Sequence, residues 1–276
     1  MRKTTLTDQY IILKNGFRLA YYDSGQAADN QSTVILLHGY CGSSAYWTDI
    51  LPHLKEHARV IIPDLRGHGV SEAQNGQVYE MDNFAGDILE LLDALELKKT
   101  ALVGHSLGGY ITLAAAGRYP ERISGFALIH STALPDSEEA RQNREKAVQA
   151  IKQDGITVFV DGLVPKLFAP KHLESEPEQV QFAREIGYGT SAQGAAATAL
   201  GMKARPDRTN VIHQAAVPVL LVAGAEDLVV RPENTFQGAE GNEAVQTHLL
   251  EGAGHMGMLE AASGLAEVLH KFIALL

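Results

Sequence analysis

The sequence predicts an α/β protein in which helices flank a mostly parallel central sheet and a helical cap is inserted into the chain. Short apolar runs alternate with helical segments over residues 33–130, a pattern typical of parallel β–α–β units. The alternation stops at about residue 133 and resumes at Val217, which indicates an insertion. A serine between two glycines, Ser106, stands where a predicted strand meets a predicted helix.

The N-terminal region predicts the start of the sheet. Two apolar runs within residues 9–23 flank Asn15-Gly16, which favours an antiparallel hairpin. A polar stretch at 24–32 predicts a loop. Residues 33–37 and 60–62 are apolar and predict buried strands, with a helix at 45–55 between them.

The middle of the chain continues the alternation. Residues 81–97 predict an amphipathic helix, residues 101–103 a buried strand, and residues from Leu107 a second helix that Pro120 ends. Residues 125–130 predict the next strand. The helix at 81–97 has one apolar stripe, made of Phe84, Ile88, Leu91, Leu92 and Leu95.

The rest of the chain divides into the insertion and a return to the core. Strands are predicted at 217–222 and around 245–250, followed by a closing helix with the apolar stripe Leu265, Val268, Leu269, Phe272 and Ile273. We therefore expect a core at residues 1–132, a helical cap at 133–208, and a second part of the core at 209–276.

Composition excludes several classes of protein. The net charge of −10 argues against nucleic acid and anionic membrane surfaces as partners. No apolar run approaches the length of a membrane span, and the first residues lack a secretory signal, so we expect a cytoplasmic protein. The single cysteine, Cys41, excludes an internal disulfide and a cysteine-based zinc site.

Residues 104–108 contain the candidate nucleophile. They fit the pattern G-x-S-x-G, in which a serine occupies a tight turn between a strand and a helix. Glycines two positions away avoid clashes in such a turn, and the turn exposes the serine hydroxyl. The sequence therefore predicts that Ser106 is an activated nucleophile.

A nucleophilic serine needs a base and a group that orients the base. His255 lies in a glycine-rich loop after the last predicted strand, and Asp227 ends the strand before it. Ser106, Asp227 and His255 run in the order Ser, Asp, His, each just past a predicted strand. Glu226, next to Asp227, remains an alternative acid.

The developing negative charge of an acyl-transfer reaction needs two backbone N–H groups. The residue after the nucleophile, Leu107, supplies one of them. The loop after the strand at 33–37 offers the other, and we assign it to Tyr40. These are the predicted oxyanion-hole donors.

With these motifs the sequence resembles the α/β-hydrolase superfamily, and most closely its branch of capped esterases, lactonases and cofactor-free haloperoxidases. The motifs are His38-Gly39-x-x-Gly42, residues 64–71 (Asp-Leu-Arg-Gly-His-Gly-Val-Ser), residues 104–109, Gly224-x-x-Asp227 and Gly254-His255. The resemblance implies a cap over the site. It also implies cleavage of a small ester, thioester or lactone through an acyl-enzyme, without a metal or an organic cofactor.

Three other functions remain open. A carbon–carbon bond hydrolase of this fold typically has Asn where this chain has His105. A cofactor-free haloperoxidase or perhydrolase would use the same residues, and a receptor-like protein would bind a ligand and hydrolyse it slowly.

The apolar cap residues further predict an enclosed pocket that favours compact, uncharged acyl groups.

Overall fold

The computed structural model describes residues 2–25, 31–74 and 78–276, so most of the predicted loop at 24–32 lies outside the described residues. The described part of the chain forms one sheet of eight strands in the order β1-β2-β4-β3-β5-β6-β7-β8. The strands are β1 (Gln9–Ile12), β2 (Arg18–Asp23), β3 (Thr33–Leu37), β4 (Arg59–Pro63), β5 (Thr100–His105), β6 (Ile123–Ile129), β7 (Val219–Gly224) and β8 (Val245–Leu250).

Helices cover both faces of this sheet and its carboxyl edge. They are α1 (Leu51–Leu54), α2 (Met81–Ala94), α3 (Leu107–Arg118), α4 (Glu138–Leu163), α5 (His172–Ser175), α6 (Pro177–Tyr188), α7 (Ala192–Ala204), α8 (Thr209–His213), α9 (Pro232–Thr235), α10 (Gly257–Glu260) and α11 (Ala262–Ile273). Short 3₁₀ helices lie at Ser44–Trp47, Pro120–Arg122 and Val164–Lys166.

The sheet is mostly parallel. The pairings of β1 with β2 and of β2 with β4 are antiparallel, and β3 to β8 pair in parallel. Alternate residues of a strand point to opposite faces. Along β3, Val34 and Leu36 belong to one apolar cluster and Ile35 and Leu37 to a second, so the sheet is buried on both faces.

The predicted fold class is confirmed, and so is the antiparallel hairpin at the start of the sheet. The prediction of one helix at 45–55 is wrong, because the structure has the 3₁₀ helix Ser44–Trp47 and then the single turn α1. Pro52 lies in the first turn of α1. A proline ring clashes with the carbonyl four residues earlier and lacks an N–H, so a helix can begin at Pro52 but cannot run through it.

The segment between β6 and β7 is helical and includes α4 to α8. Helix α7 approaches the core closely, since a Cβ added to Gly194 would lie 2.6 Å from the Cα atom of Gly67. A Cβ added to Gly201 would overlap the carbonyl of Tyr79. Within the described residues, no helix is long and apolar enough to cross a membrane.

Candidate active site

The turn from β5 into α3 holds Ser106 in an unusual backbone conformation. Its φ is 50° and its ψ is −110°, a region that costs an L-residue roughly 1–3 kcal/mol. A Cβ at Gly104 would lie 2.2 Å from the carbonyl oxygen of Gly108, and one at Gly108 would lie 2.4 Å from that of Leu37. Only glycine fits at these two positions, and Ser106 itself remains partly accessible.

The structure brings Ser106, His255 and Asp227 into one hydrogen-bonded row. The Oγ atom of Ser106 lies 2.9 Å from Nε2 of His255, and Nδ1 of His255 lies 2.8 Å from Oδ2 of Asp227. With a proton on Nδ1, His255 donates to the carboxylate and presents a free lone pair to the serine hydroxyl. This arrangement can remove the proton of Ser106.

Asp227 is held as a carboxylate. Its Oδ1 accepts hydrogen bonds from the backbone N–H groups of Val229 at 2.8 Å and Val230 at 2.9 Å. Burial would raise the pKa of Asp227, but its interactions with His255 and His130 are stronger and lower it. The alternative acid, Glu226, faces outward and pairs with Lys171 at 3.1 Å.

The predicted oxyanion-hole donors, Tyr40 and Leu107, both have a backbone N–H without a partner among the described residues. Leu107 is the first residue of α3, so its N–H has no acceptor within the helix. Neither this N–H nor that of Tyr40 donates a hydrogen bond to any of the described residues. Both groups are therefore available to a developing oxyanion.

Two further histidines pack around His255. His105 Nε2 donates to the carbonyl oxygen of His255 at 2.9 Å, while His130 Nδ1 lies 3.5 Å from Oδ2 of Asp227. Burial lowers the pKa of both His105 and His130, and the proximity of His255 lowers each further. The lowered pKa makes both rings weaker bases, and of the three histidines only His255 is hydrogen-bonded to Ser106 Oγ.

Glu260 ties the loop of His255 to the helical segment between β6 and β7. Its buried Oε1 accepts hydrogen bonds from the N–H groups of Gly254 at 3.0 Å and Met256 at 2.9 Å, on either side of His255. Its Oε2 accepts from the N–H of Ala169 at 2.8 Å and from Nδ1 of His172 at 2.7 Å. One carboxylate thus fixes both the histidine loop and the start of α5.

The sequence motifs did not point to Glu260 or His130, although Glu260 stands only five residues after His255. Their roles depend on contacts across the fold, such as the 88 residues that separate Glu260 from His172. His38, in contrast, belongs to one of the motifs and hydrogen-bonds only to backbone groups. Its Nδ1 donates to the carbonyl of Gly39 and its Nε2 accepts from the N–H of Leu65.

Among the described residues, no group of three or more His, Cys, Asp and Glu could hold a metal ion.

The fold and this geometry define a class of protein. Residues 32–262 match the family model described as alpha/beta hydrolase fold. The chain belongs to this family, and the family resemblance seen in the sequence is confirmed.

Particular relatives show what the chain is similar to. It is 31% identical, over 94% of its length and 67% of the relative, to the dihydrolipoyllysine-residue acetyltransferase component of an acetoin cleaving system from Pseudomonas putida. A thermophilic esterase from Thermogutta terrifontis is 29% identical with a TM-score of 0.90, covering 97% of this chain and 98% of the esterase. An enol-lactonase from Burkholderia xenovorans LB400 is 27% identical with a TM-score of 0.88, covering 96% and 100%. The chain is a hydrolase of this family.

Proposed function

We propose that this hydrolase cleaves a small carboxylic ester, thioester or lactone through an acyl-enzyme on Ser106. The observation that carries the proposal is the hydrogen-bonded row from Ser106 Oγ through His255 to Asp227. The likeness to an esterase and to an enol-lactonase supports the same class of substrate.

In the first half of the reaction, His255 Nε2 takes the hydroxyl proton while Ser106 Oγ bonds to the acyl carbon. The carbonyl oxygen becomes an oxyanion that accepts hydrogen bonds from the N–H groups of Tyr40 and Leu107. His255 then gives its proton to the departing alcohol or thiol, and the bond to the leaving group breaks. In a lactone the alcohol stays attached to the acyl group.

In the second half, His255 removes a proton from water, which attacks the acyl carbon of the ester on Ser106. The same two N–H groups stabilise the second oxyanion. His255 returns the proton to Ser106 Oγ as the carboxylic acid leaves, and Asp227 keeps the imidazole in the correct tautomer throughout. We assign residues 133–208 as the cap that selects the substrate.

The carbon–carbon bond hydrolase receives less support. Enzymes of that kind typically have Asn at the position of His105. The ring of His105 is buried and donates to the backbone carbonyl of His255. It therefore offers no side-chain amide to a substrate. A receptor-like protein would need slow turnover, which kinetics would reveal directly.

Hydrolysis of short 4-nitrophenyl esters and of a γ-lactone by three variants tests the proposal. Ser106→Ala should lower kcat on the order of 10⁴-fold or more, because members of a triad act as a unit. Asp227→Asn should cost roughly 10³–10⁴-fold, since the imidazole loses its tautomer. Glu226→Gln is the matched control and should stay within about twofold, because its ion pair is solvent-exposed. A loss of only a few-fold in Ser106→Ala, or a large loss in Glu226→Gln, would contradict the assignment.

A further inference from the structure

Arg144 lies on the cap helix α4 in an unusual charged cluster. Its Nε donates to Oδ2 of Asp136 at 3.1 Å, and the other oxygen of Asp136 accepts from Nη1 of Arg205. One carboxylate therefore anchors two guanidinium groups. This anchoring uses only the Nε edge of Arg144.

The cluster has a surplus positive charge in an enclosed place. The side chains of Asp136 and Arg205 are 4% and 7% exposed, and that of Arg144 is 26% exposed. Two arginines and one aspartate leave one positive charge uncompensated, although the whole chain has a net charge of −10. A poorly hydrated charge is costly unless an opposite charge pairs with it.

The unused donors of this cluster remain open. Among the described residues, neither Nη atom of Arg144 has a hydrogen-bond partner, and the hydroxyl of Tyr110 has none either. In the described part of the structure, these unpartnered atoms are not fully buried, so solvent or a ligand can reach them. A guanidinium edge with free N–H groups matches the two oxygens of a carboxylate.

The cluster contacts α3, the helix that begins directly after Ser106, because the guanidinium carbon of Arg205 lies 4.0 Å from the centre of the Tyr110 ring. Burial would lower the pKa of Arg144, but interactions with Tyr110, Asp136 and Tyr40 raise it. Tyr110 is one helical turn after the serine, and its N–H donates to the carbonyl of Ser106 at 3.3 Å. Tyr40 follows Gly39, where an added Cβ would lie 3.5 Å from Cβ of Ser106. Through Arg205 and Tyr110, the cluster is therefore connected to the first turn after the nucleophile.

We propose that Arg144 binds a carboxylate of the substrate, so that the preferred ester or lactone is an anion. The proposal rests on the proposed function and narrows its substrate class. It replaces the expectation of an uncharged acyl group, which followed from the apolar residues of the cap alone.

Two matched pairs of esters test this proposal. In the first, 4-acetoxybenzoate and 4-acetoxybenzamide place the carboxylate or its neutral counterpart on the leaving group. In the second, monophenyl adipate and its terminal amide place it on the acyl group. The measured quantity is the ratio of kcat/KM for the acid to that for the amide.

For at least one pair, the wild-type ratio should be roughly 10 to 100, because a charge-assisted hydrogen bond contributes about 1.5–3 kcal/mol. Arg144→Met should bring this ratio to about one, mainly through KM, and Arg144→Lys should keep part of the preference. Arg141→Met, on the exposed side of the same helix, is the control and should keep the wild-type ratio. A ratio near one in the wild type for both pairs, or an unchanged ratio in Arg144→Met, would overturn the proposal.

Binding to an inactive protein separates this proposal from the catalytic one. Calorimetric titration of Ser106→Ala with 4-acetoxybenzoate and with monophenyl adipate requires no turnover. Binding of either compound that weakens at least tenfold in Ser106→Ala/Arg144→Met would support the anion site even if no ester were hydrolysed. Equal affinity of the two proteins for both compounds would contradict it.

Discussion

The edge of the sheet that holds Ser106 and helix α4, which we assign to the cap, differ in how closely the surrounding structure encloses them. At the core edge, backbone segments approach so closely that a Cβ at Gly104 or Gly224 would lie 2.2 Å from a carbonyl oxygen. Helix α4 has 26 residues, of which only Val148, Ile151 and Val160 are buried. It is also interrupted at Gly155, where φ is 83° and no atom lies within 4 Å of an added Cβ. Ser106 is thus held between closely packed backbone segments, whereas α4, which holds Arg144, buries few of its own side chains.

One glycine from each region gives the largest contrast. In Gly108→Ala, the new Cβ would lie 2.4 Å from the carbonyl of Leu37, so the turn must shift. Displacing Ser106 by about 1 Å should slow its labelling by a fluorophosphonate roughly 100-fold or more. In Gly155→Ala, the backbone strain costs about 1–3 kcal/mol of stability but leaves Ser106 in place. Its labelling rate should stay within about threefold.

Equal labelling rates in the two variants, measured at a temperature where circular dichroism shows both to be folded, would contradict this contrast. So would a slower rate in Gly155→Ala than in Gly108→Ala.

Acid provides the second test, because the buried histidines besides His255, namely His38, His68, His105 and His130, all lie outside residues 133–208. Burial lowers the pKa of His38 to about 4 and that of His68 to about 3. Between pH 6.5 and 4 the unfolded chain binds protons that the folded chain does not, so stability falls as the pH falls. From pH 6.5 to 5 the two histidines together should cost on the order of 3 kcal/mol.

Urea denaturation at several pH values measures this loss of stability. His38→Gln removes one titrating group and can still accept a hydrogen bond from the N–H of Leu65. The free energy of unfolding of this variant should therefore depend less steeply on pH than that of the wild type. The difference in slope should correspond to about one fewer proton taken up on unfolding. A wild-type stability that is flat between pH 6.5 and 5 would contradict the assignment of neutral, buried histidines.

Glu260 joins the His255 loop to Ala169 and His172, and its replacement should give a smaller effect. All four of its hydrogen-bond partners are donors, and an amide would face two of them with an NH₂ group. Glu260→Gln should therefore displace the His255 loop and lower kcat by roughly 10- to 100-fold. Because His255 activates Ser106, the labelling rate should fall by the same factor, which a general loss of stability would not cause in a fully folded sample.

Lys171→Met is the matched control for Glu260→Gln, since it removes the exposed ion pair with Glu226 between the cap and the core. An exposed pair contributes at most about 1 kcal/mol, so kcat should change less than about twofold. If Lys171→Met lowered kcat as much as Glu260→Gln, the histidine loop would depend on the docking of the cap in general and not on Glu260.

The sequence predicted the sheet and the candidate triad because both depend on local patterns. Buried strands are short apolar runs, and the turn at Ser106 requires glycines at fixed positions. Glu260 and Arg144 could not be predicted in the same way. Their partners are distant in the chain or belong to the cap, and helical periodicity does not reveal which polar residue of a cap helix faces the core. Pro52 was visible in the sequence, and it explains why the helix predicted at 45–55 does not form.

The most direct test of the central claim is mass spectrometry of the protein quenched with acid within milliseconds of mixing with a rapidly acylating 4-nitrophenyl ester. The account predicts one added acyl group on the peptide that contains Ser106, formed in a burst together with 4-nitrophenolate. The adduct should be absent in Ser106→Ala. Turnover without an adduct at any quench time, or an acyl group found on Cys41 or His255 instead, would contradict the account.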